Sequence, residues 1–222
     1  MKLLAENITI CDIFEVKRVI LLPLAAKALR RHRADAERIL SKIEAYANDP
    51  SSLANMVKAL QGSTALRLRV GDYRVVFEET DQEIIVTKIG PRGSVYDWNA
   101  KVNNVAYVTT PGGEELAILP RSELDALRES LDHAQALGSF RAGQIPGLTP
   151  DEARALVAAV SPLAFWRRYR KLTQAVLSAS VGVTQNYLSE IENGKRGGDV
   201  ALWLRLARAL ELPVESLVDA GD

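Results

Sequence analysis

The 222 residues carry 28 Lys+Arg against 28 Asp+Glu, with 47% hydrophobic and 25% charged residues. These are globular proportions, and the length suits two or three small domains. One cysteine, Cys11, and two histidines, His32 and His133, exclude an internal disulfide framework and lead us to expect neither a metal site nor a cofactor. The longest apolar run, Val19 to Ala26, is too short to span a bilayer, and Met1 to Phe14 lacks the pattern of a signal peptide. A cytoplasmic protein without a membrane partner is expected. Charge counted by part, 15 Lys+Arg against 13 Asp+Glu over 1–97 and 13 against 15 over 98–222, leaves any nucleic-acid contact to local clusters.

In chain order, the β-branched run Val16 to Leu22 predicts a strand, and Leu24 to His32 and Asp35 to Ala47 predict helices. In the second helix Ile39, Leu40, Ile43 and Tyr46 recur at spacings of three and four and form one apolar stripe. After a connection over Ser51 to Thr64, three β-rich runs follow at 66–70, 73–79 and 83–89, separated by short turns, which predicts an antiparallel meander. This order, with LRLRVGDYRVVFEE and then IGPRGSVYD, resembles the RelE/ParE toxin superfamily over about 16–97. The resemblance implies a small ribosome-dependent endoribonuclease or, in the ParE branch, a gyrase poison.

Alternation along the strand puts Arg67 and Arg69 on one face of the sheet, where Arg74, Arg92 and Tyr96 can converge. Guanidiniums around a groove suit phosphodiester cleavage, because they bind the phosphate and the added charge of its transition state. A tyrosine among cations can act as base. These five are the candidate catalytic residues, and basic residues with a terminal tyrosine are also what the resemblance implies for RelE-like nucleases. Lys58 and Arg92 serve equally as ribosome contacts. Tyr46 and Tyr73 are assigned to the core, and His32 and His133 to the surface.

Residues 98–104 are a polar joint between a toxin-like domain at 1–97 and the rest. Over 105–147 a hairpin around PGGEE precedes an amphipathic helix, Arg121 to Leu137, in which Leu124, Leu127, Leu131, Ala134 and Leu137 follow a spacing of three and four as one stripe. The hairpin and this helix are the candidate toxin-neutralising segment, with Leu124, Leu127 and Leu131 as its residues and the stripe predicted to be buried. A flexible break is expected from Gly138 to Gly147. Thr149-Pro150-Asp151-Glu152 is a capping box opening a further helix.

Within 148–222, LTQAVLSASVGVTQNYLSEIENGKR (172–196) reads as two short helices, capped by Thr173 and Thr184 and separated by Gly182. Leu188 and Ile191 face inward. Gln185, Asn186 and Ser189 face outward, where they can meet base edges. The stretch resembles the Xre (Cro/C1-type) helix-turn-helix family, a five-helix all-α domain. Its relatives usually place a small apolar residue where this chain has Ser178. Candidate DNA-binding residues are Gln174, Thr184, Gln185, Asn186, Tyr187, Ser189, Asn193, Lys195 and Arg196. Arg167, Arg168, Arg170 and Lys171 add a basic run.

The expected fold class is an α+β unit (strand, two helices, antiparallel meander), then a β-hairpin and helix, then the five-helix domain. The resemblances together imply a type II toxin (about 16–97) fused to its antitoxin (about 105–222). In this reading a RelE-like endoribonuclease is held inactive in the intact chain, and the antitoxin half binds an inverted-repeat operator as a homodimer and represses its own operon. Ribosome and mRNA become partners once the toxin is released. The alternatives are a repressor with an inactive toxin-like domain and a ParE-like gyrase poison.

Overall fold

The computed structural model describes residues 16–60, 63–92 and 106–218. The first unit contains β1 (Arg18–Leu21), α1 (Pro23–Arg31), α2 (Arg33–Asn48), β2 (Val57–Ala59), β3 (Leu66–Val70), β4 (Tyr73–Glu79) and β5 (Glu83–Pro91). The strands make one sheet in the order β1-β5-β4-β3-β2, parallel only where β1 meets β5. The expected meander is present, its first turn closed by Gly71 at φ +57°. Strand β2 was not foreseen, because three residues show no alternation. It pairs at the sheet edge, with Lys58 opposite Arg67. The same connection also holds a 3-10 turn over Pro50–Met56, whose first N–H groups donate to the Asp49 carboxylate.

The two sheet faces differ in kind. Leu68, Val70, Val75, Phe77, Ile84 and Val86 pack with Leu29, Ile39, Leu40 and Ile43 of α1 and α2 in the main core. By alternation, Arg67, Arg69, Arg74, Val76, Glu78, Ile85 and Ile20 belong to the opposite face. The register slips between Val76 and Phe77, which oppose Lys88 and Val86 respectively, so Thr87 is an extra residue that joins Lys88 on that second face.

The hairpin of β6 (Ala106–Thr109) and β7 (Glu115–Ile118) is a separate two-stranded sheet. Helix α3 (Arg121–Arg141) then crosses the second face of the large sheet. The expected break at Gly138 lies inside this helix. Leu137, Ala136 and Phe140 pack with Ile20, Leu22 and Ile85, and that burial carries α3 past a residue costing about 1 kcal/mol in a helix interior. The turn to positive φ comes later, at Gly143.

Five α-helices follow within the described residues 148–218: α4 (Pro150–Ala158), α5 (Pro162–Tyr169), α6 (Gln174–Ser180), α7 (Gln185–Glu192) and α8 (Val200–Leu210). The capping box at α4 has both of its hydrogen bonds. Leu148 exchanges two backbone hydrogen bonds with Leu21, 2.7 and 2.8 Å, so the outer edge of β1 is met by the second half of the chain. Helix α4 packs on α1 and α2, and a single apolar cluster runs from Val19 through Leu148, Leu156 and Trp166 to Leu217. The architecture is the expected one, with toxin-like α+β unit, hairpin, helix and all-α domain in order. No helix among the described residues is long and apolar enough to cross a membrane.

Candidate functional site

The arginine face is covered in part. Arg67 and Arg74 are buried, Arg69 stands opposite Arg74 across the strands, and Arg69 and Arg92 are exposed. Arg74 turns back on its own hairpin, donating from Nη1 to the carbonyls of Gly71 (3.2 Å) and Tyr73 (2.9 Å). Tyr96 lies outside the described residues. Tyr46 and Tyr73 sit on the other side of the sheet, as expected, donating to Glu79 (2.7 Å) and Asp35 (2.9 Å). Those carboxylates help raise both phenols above the usual tyrosine pKa. For Tyr46 burial is the larger cause, and for Tyr73 the bond to Asp35 is.

The cover is α3, but not by the expected stripe. Leu127 and Leu131 are each 56% exposed and Leu124 is 37% exposed, so the expectation that these three leucines bury themselves on the toxin-like unit is wrong, and of the leucines in the expected stripe only Leu137 is buried. The face turned to the sheet carries Glu123, Ala126, Glu129, His133 and Leu137. Both stripes have helical spacing, and the more apolar one drew the sequence reading. The less apolar one matches a sheet face made largely of charges.

Glu129 Oε1 lies 3.6 Å from Lys88 Nζ, with Asp132 of α3 at 3.9 Å from the same ammonium. Burial pushes the Glu129 carboxyl up, and the positive charges of Lys88 and Arg67 oppose that shift. Arg141 donates to Glu78, which also accepts from Thr64 Oγ1 at 3.1 Å. His133, assigned to the surface from sequence, is 4% exposed. Its Nδ1 is 2.7 Å from Thr87 Oγ1 and its Nε2 is 3.9 Å from Glu78. Burial holds the imidazole below its ordinary pKa; Glu78 pulls the other way. Lys88, Glu78, Glu129 and His133 are therefore site residues that sequence missed. The spacing Ala126, Glu129, His133, Leu137 was their available signal.

The helix-turn-helix has the expected form. Thr173 and Thr184 accept from the N–H groups of Val176 (3.1 Å) and Tyr187 (3.2 Å), and Gly182 has φ +72°. Leu188 and Ile191 are buried, while Gln185 and Asn186 are exposed on the first turn of α7. Ser189 is half-buried and its carbonyl accepts from Asn193 Nδ2 at 2.7 Å. Ser178 fits under the turn because its hydroxyl donates to Ala175 O, 3.0 Å.

Behind the turn, Arg167 donates from Nε and Nη2 to the two oxygens of Glu192 (2.5 and 2.9 Å), both residues being buried. Gln174 Nε2 donates to the same carboxylate at 2.8 Å. One amide hydrogen of Gln174 thus orients it, and the other remains for a phosphate. The Arg196 guanidinium lies 4.7 Å over the Tyr187 ring, whose hydroxyl donates to Gly197 O, and Lys195 is exposed. The basic run is not one patch. Arg167 is tied to Glu192 and Arg170 donates to Leu210 O, which leaves Arg168 and Lys171 as its exposed members.

An α+β unit whose basic sheet face is closed by a helix of its own chain, joined to a bundle presenting a recognition helix, defines a two-part protein with one half built to read DNA. Residues 19–96 match the family model of the ParE toxin of the type II toxin-antitoxin system parDE, and residues 163–220 match that of a helix-turn-helix domain. The chain thus carries a ParE-type toxin domain followed by a helix-turn-helix domain, as in a toxin fused to its antitoxin. No curated protein matches it.

Proposed function

We propose that the intact chain is a self-neutralised toxin that also acts as an operator-binding repressor of its own operon. The observation that carries this reading is α3 lying on the basic sheet face, with the Glu129 carboxylate facing Lys88 and under the field of Arg67. A buried carboxylate there holds a position that an anionic or acidic target would otherwise take. The match of 19–96 to the ParE toxin model favours a gyrase-type target, bound through this face. A second reading, a RelE-like endoribonuclease acting on mRNA at the ribosome, is favoured by Arg67, Arg69 and Arg74 sharing one face, with Arg92 beside the turn at Asp72 and Tyr96 as the base.

The test is to prise α3 off in the full-length chain with Leu137→Asp and Glu129→Lys. Growth arrest is expected. Inhibited supercoiling in the arrested cells supports the gyrase reading, and new mRNA ends at ribosomes support the nuclease. Normal growth with α3 shown by hydrogen exchange to be released would refute neutralisation by this helix. For the repressor half, one recognition helix reads only a few base pairs, so a homodimer on an inverted repeat is the fitting arrangement. Gln185→Ala or Asn186→Ala should cost about 1–3 kcal/mol on the specific site and little on random DNA. Equal losses on both would show that these side chains do not read bases.

A further inference from the structure

The toxin-like unit, α3 and the bundle meet at a cleft of about 500 Å³. Leu22, Pro23 and Ile89 line it from the toxin-like unit, Ala136 from α3, and Pro213 from the head of the closing 3-10 turn (Val214–Ser216). Small-molecule sites usually span about 300–1,000 Å³ and are mostly apolar, with a few convergent polar groups. The polar groups here are Lys88 of β5 and, on α3, Asp132, Gln135 and Ser139. Lys88 is poorly satisfied. The carboxylates it faces, Glu129 and Asp132, stand 3.6 and 3.9 Å away, beyond the usual ~2.7–3.2 Å of a direct hydrogen bond, so the ammonium has donors to spare.

We propose that this cleft binds a neutral amphipathic molecule with an amide head, and that its occupancy holds α3 on the sheet. The apolar walls take the alkyl or aryl body. Charge selects the head. Among the described residues Lys88 is the one cation lining the cleft, against the exposed Asp132 and Glu215 in its walls and Glu129 beside it. An anionic head therefore meets more repulsion than attraction, and a cationic one competes with Lys88 for Asp132. An amide suits both groups, its carbonyl accepting from Lys88 and its N–H donating to Asp132. The effect on α3 follows from linkage. Asp132, Ala136 and Ser139 leave with the helix, so the cleft is complete only while α3 is docked. A molecule that binds the docked state alone favours it by the factor 1 + [L]/Kd. The inference rests on the reading of α3 as a releasable cover, and adds a small molecule that governs its release.

Octanamide is the probe, with octanoate and octylamine as its charged counterparts. Calorimetry on the full-length chain gives each dissociation constant, and hydrogen exchange reports on α3. At ten times the octanamide constant, exchange from α3 should slow about tenfold. The two counterparts should each bind about tenfold or more weakly, the loss of about one hydrogen bond to a charged group. Gln135→Trp and Ser139→Trp fill the cleft from α3 and touch neither Leu137 nor the Glu129 contact, so both should keep α3 protected and abolish the response. Octanamide that fails to bind, that binds without slowing exchange from α3, or that slows it equally in both tryptophan variants overturns the site. A counterpart that binds more tightly overturns the amide head. An α3 that exchanges freely in the unliganded parent removes the neutralising cover as well, so a failure of the proposed function is seen before octanamide is added.

Discussion

The second half of the chain grips the toxin domain in two places that are built differently. On the helical side, α4 buries Leu156 and Ala153 in the common core. Buried Arg30 of α1 donates to the carbonyls of Leu156, Ala159 and Val160, satisfying the end of α4, and Arg154 of α4 reaches Glu37 and Glu44 of α2. On the sheet side, α3 brings only a small apolar cluster around Leu137, and most of the rest is charge or hydrogen bond: Glu129 with Lys88, Arg141 with Glu78, His133 with Thr87. Apolar burial is insensitive to conditions and its loss is felt throughout the fold. A buried polar layer depends on every partner being present and correctly protonated. The α4 contact therefore belongs to folding, and the α3 contact has the properties of a latch.

The shared core is weakened most at Leu156. Truncation to alanine removes fully buried side-chain volume from a core shared by both halves, at about 2–5 kcal/mol. Denaturant unfolding should show one cooperative transition at a lower midpoint. Two separate transitions would mean that the halves fold independently and that the shared core contributes little. Next in size is Glu129→Ala, which removes the buried carboxylate facing Lys88 and Arg67 and leaves Lys88 only the more exposed Asp132 on α3. Hydrogen exchange should speed up along α3 by about tenfold, with the protection of α1, α2 and α4 unchanged, because the substitution removes a buried carboxylate that draws α3 to the positive charges of Lys88 and Arg67. Uniform acceleration across the chain would merge the two contacts into one.

Acidification gives a smaller effect of predictable sign. Burial lowers the pKa of His133 in the folded chain, so the unfolded or released helix binds the proton more readily. The contribution of His133 to α3 docking is complete above the ordinary histidine pKa of about 6.5 and declines as pH falls below it. Glu129 has the opposite sign: its carboxyl is pushed up, so its ionised form is disfavoured on the sheet and its cost grows as pH rises through its folded value. His133→Gln separates the two. Protection of α3, corrected for the slower intrinsic exchange at lower pH, should fall between pH 7 and pH 5 less steeply in that variant than in the parent, and identical slopes would remove His133 from the latch.

Much of this was legible in the residues. The helix-turn-helix could be read to within a residue or two because its caps and turn are local: Thr173, Thr184 and Gly182 each dictate backbone conformation where they stand. The meander was legible for the same reason. Which side of α3 meets the sheet was not, because helical spacing gives stripes without saying what each one faces. The leucine stripe outranked Ala126, Glu129 and His133 on hydrophobicity, and only the sheet, with Arg67, Lys88 and Glu78 on its second face, decides in favour of the polar one. Likewise His133 and Arg167 look like surface residues in sequence. They are buried because Thr87 and Glu192, distant along the chain, are placed to receive them.

The smallest effect is expected where the apolar stripe lies. Leu127→Asp with Leu131→Asp alters the two most exposed leucines of α3 and touches neither the Glu129 contact nor the Leu137 cluster. Exposed substitutions away from caps, cores and charge networks usually stay within about 0.5 kcal/mol of neutral. Both aspartates are tolerated in the middle of a helix at a cost of a few tenths of a kcal/mol each. At concentrations too dilute for self-association, the double variant should therefore melt within a few degrees of the parent, keep α3 protected from exchange, and leave the cell growing normally. Leu137→Asp, one substitution on the inner face, should do the reverse on all three measures. If the outer pair instead released α3 and stopped growth while Leu137→Asp did not, the helix would be docked by its leucines after all, and the polar face would be the one turned to solvent.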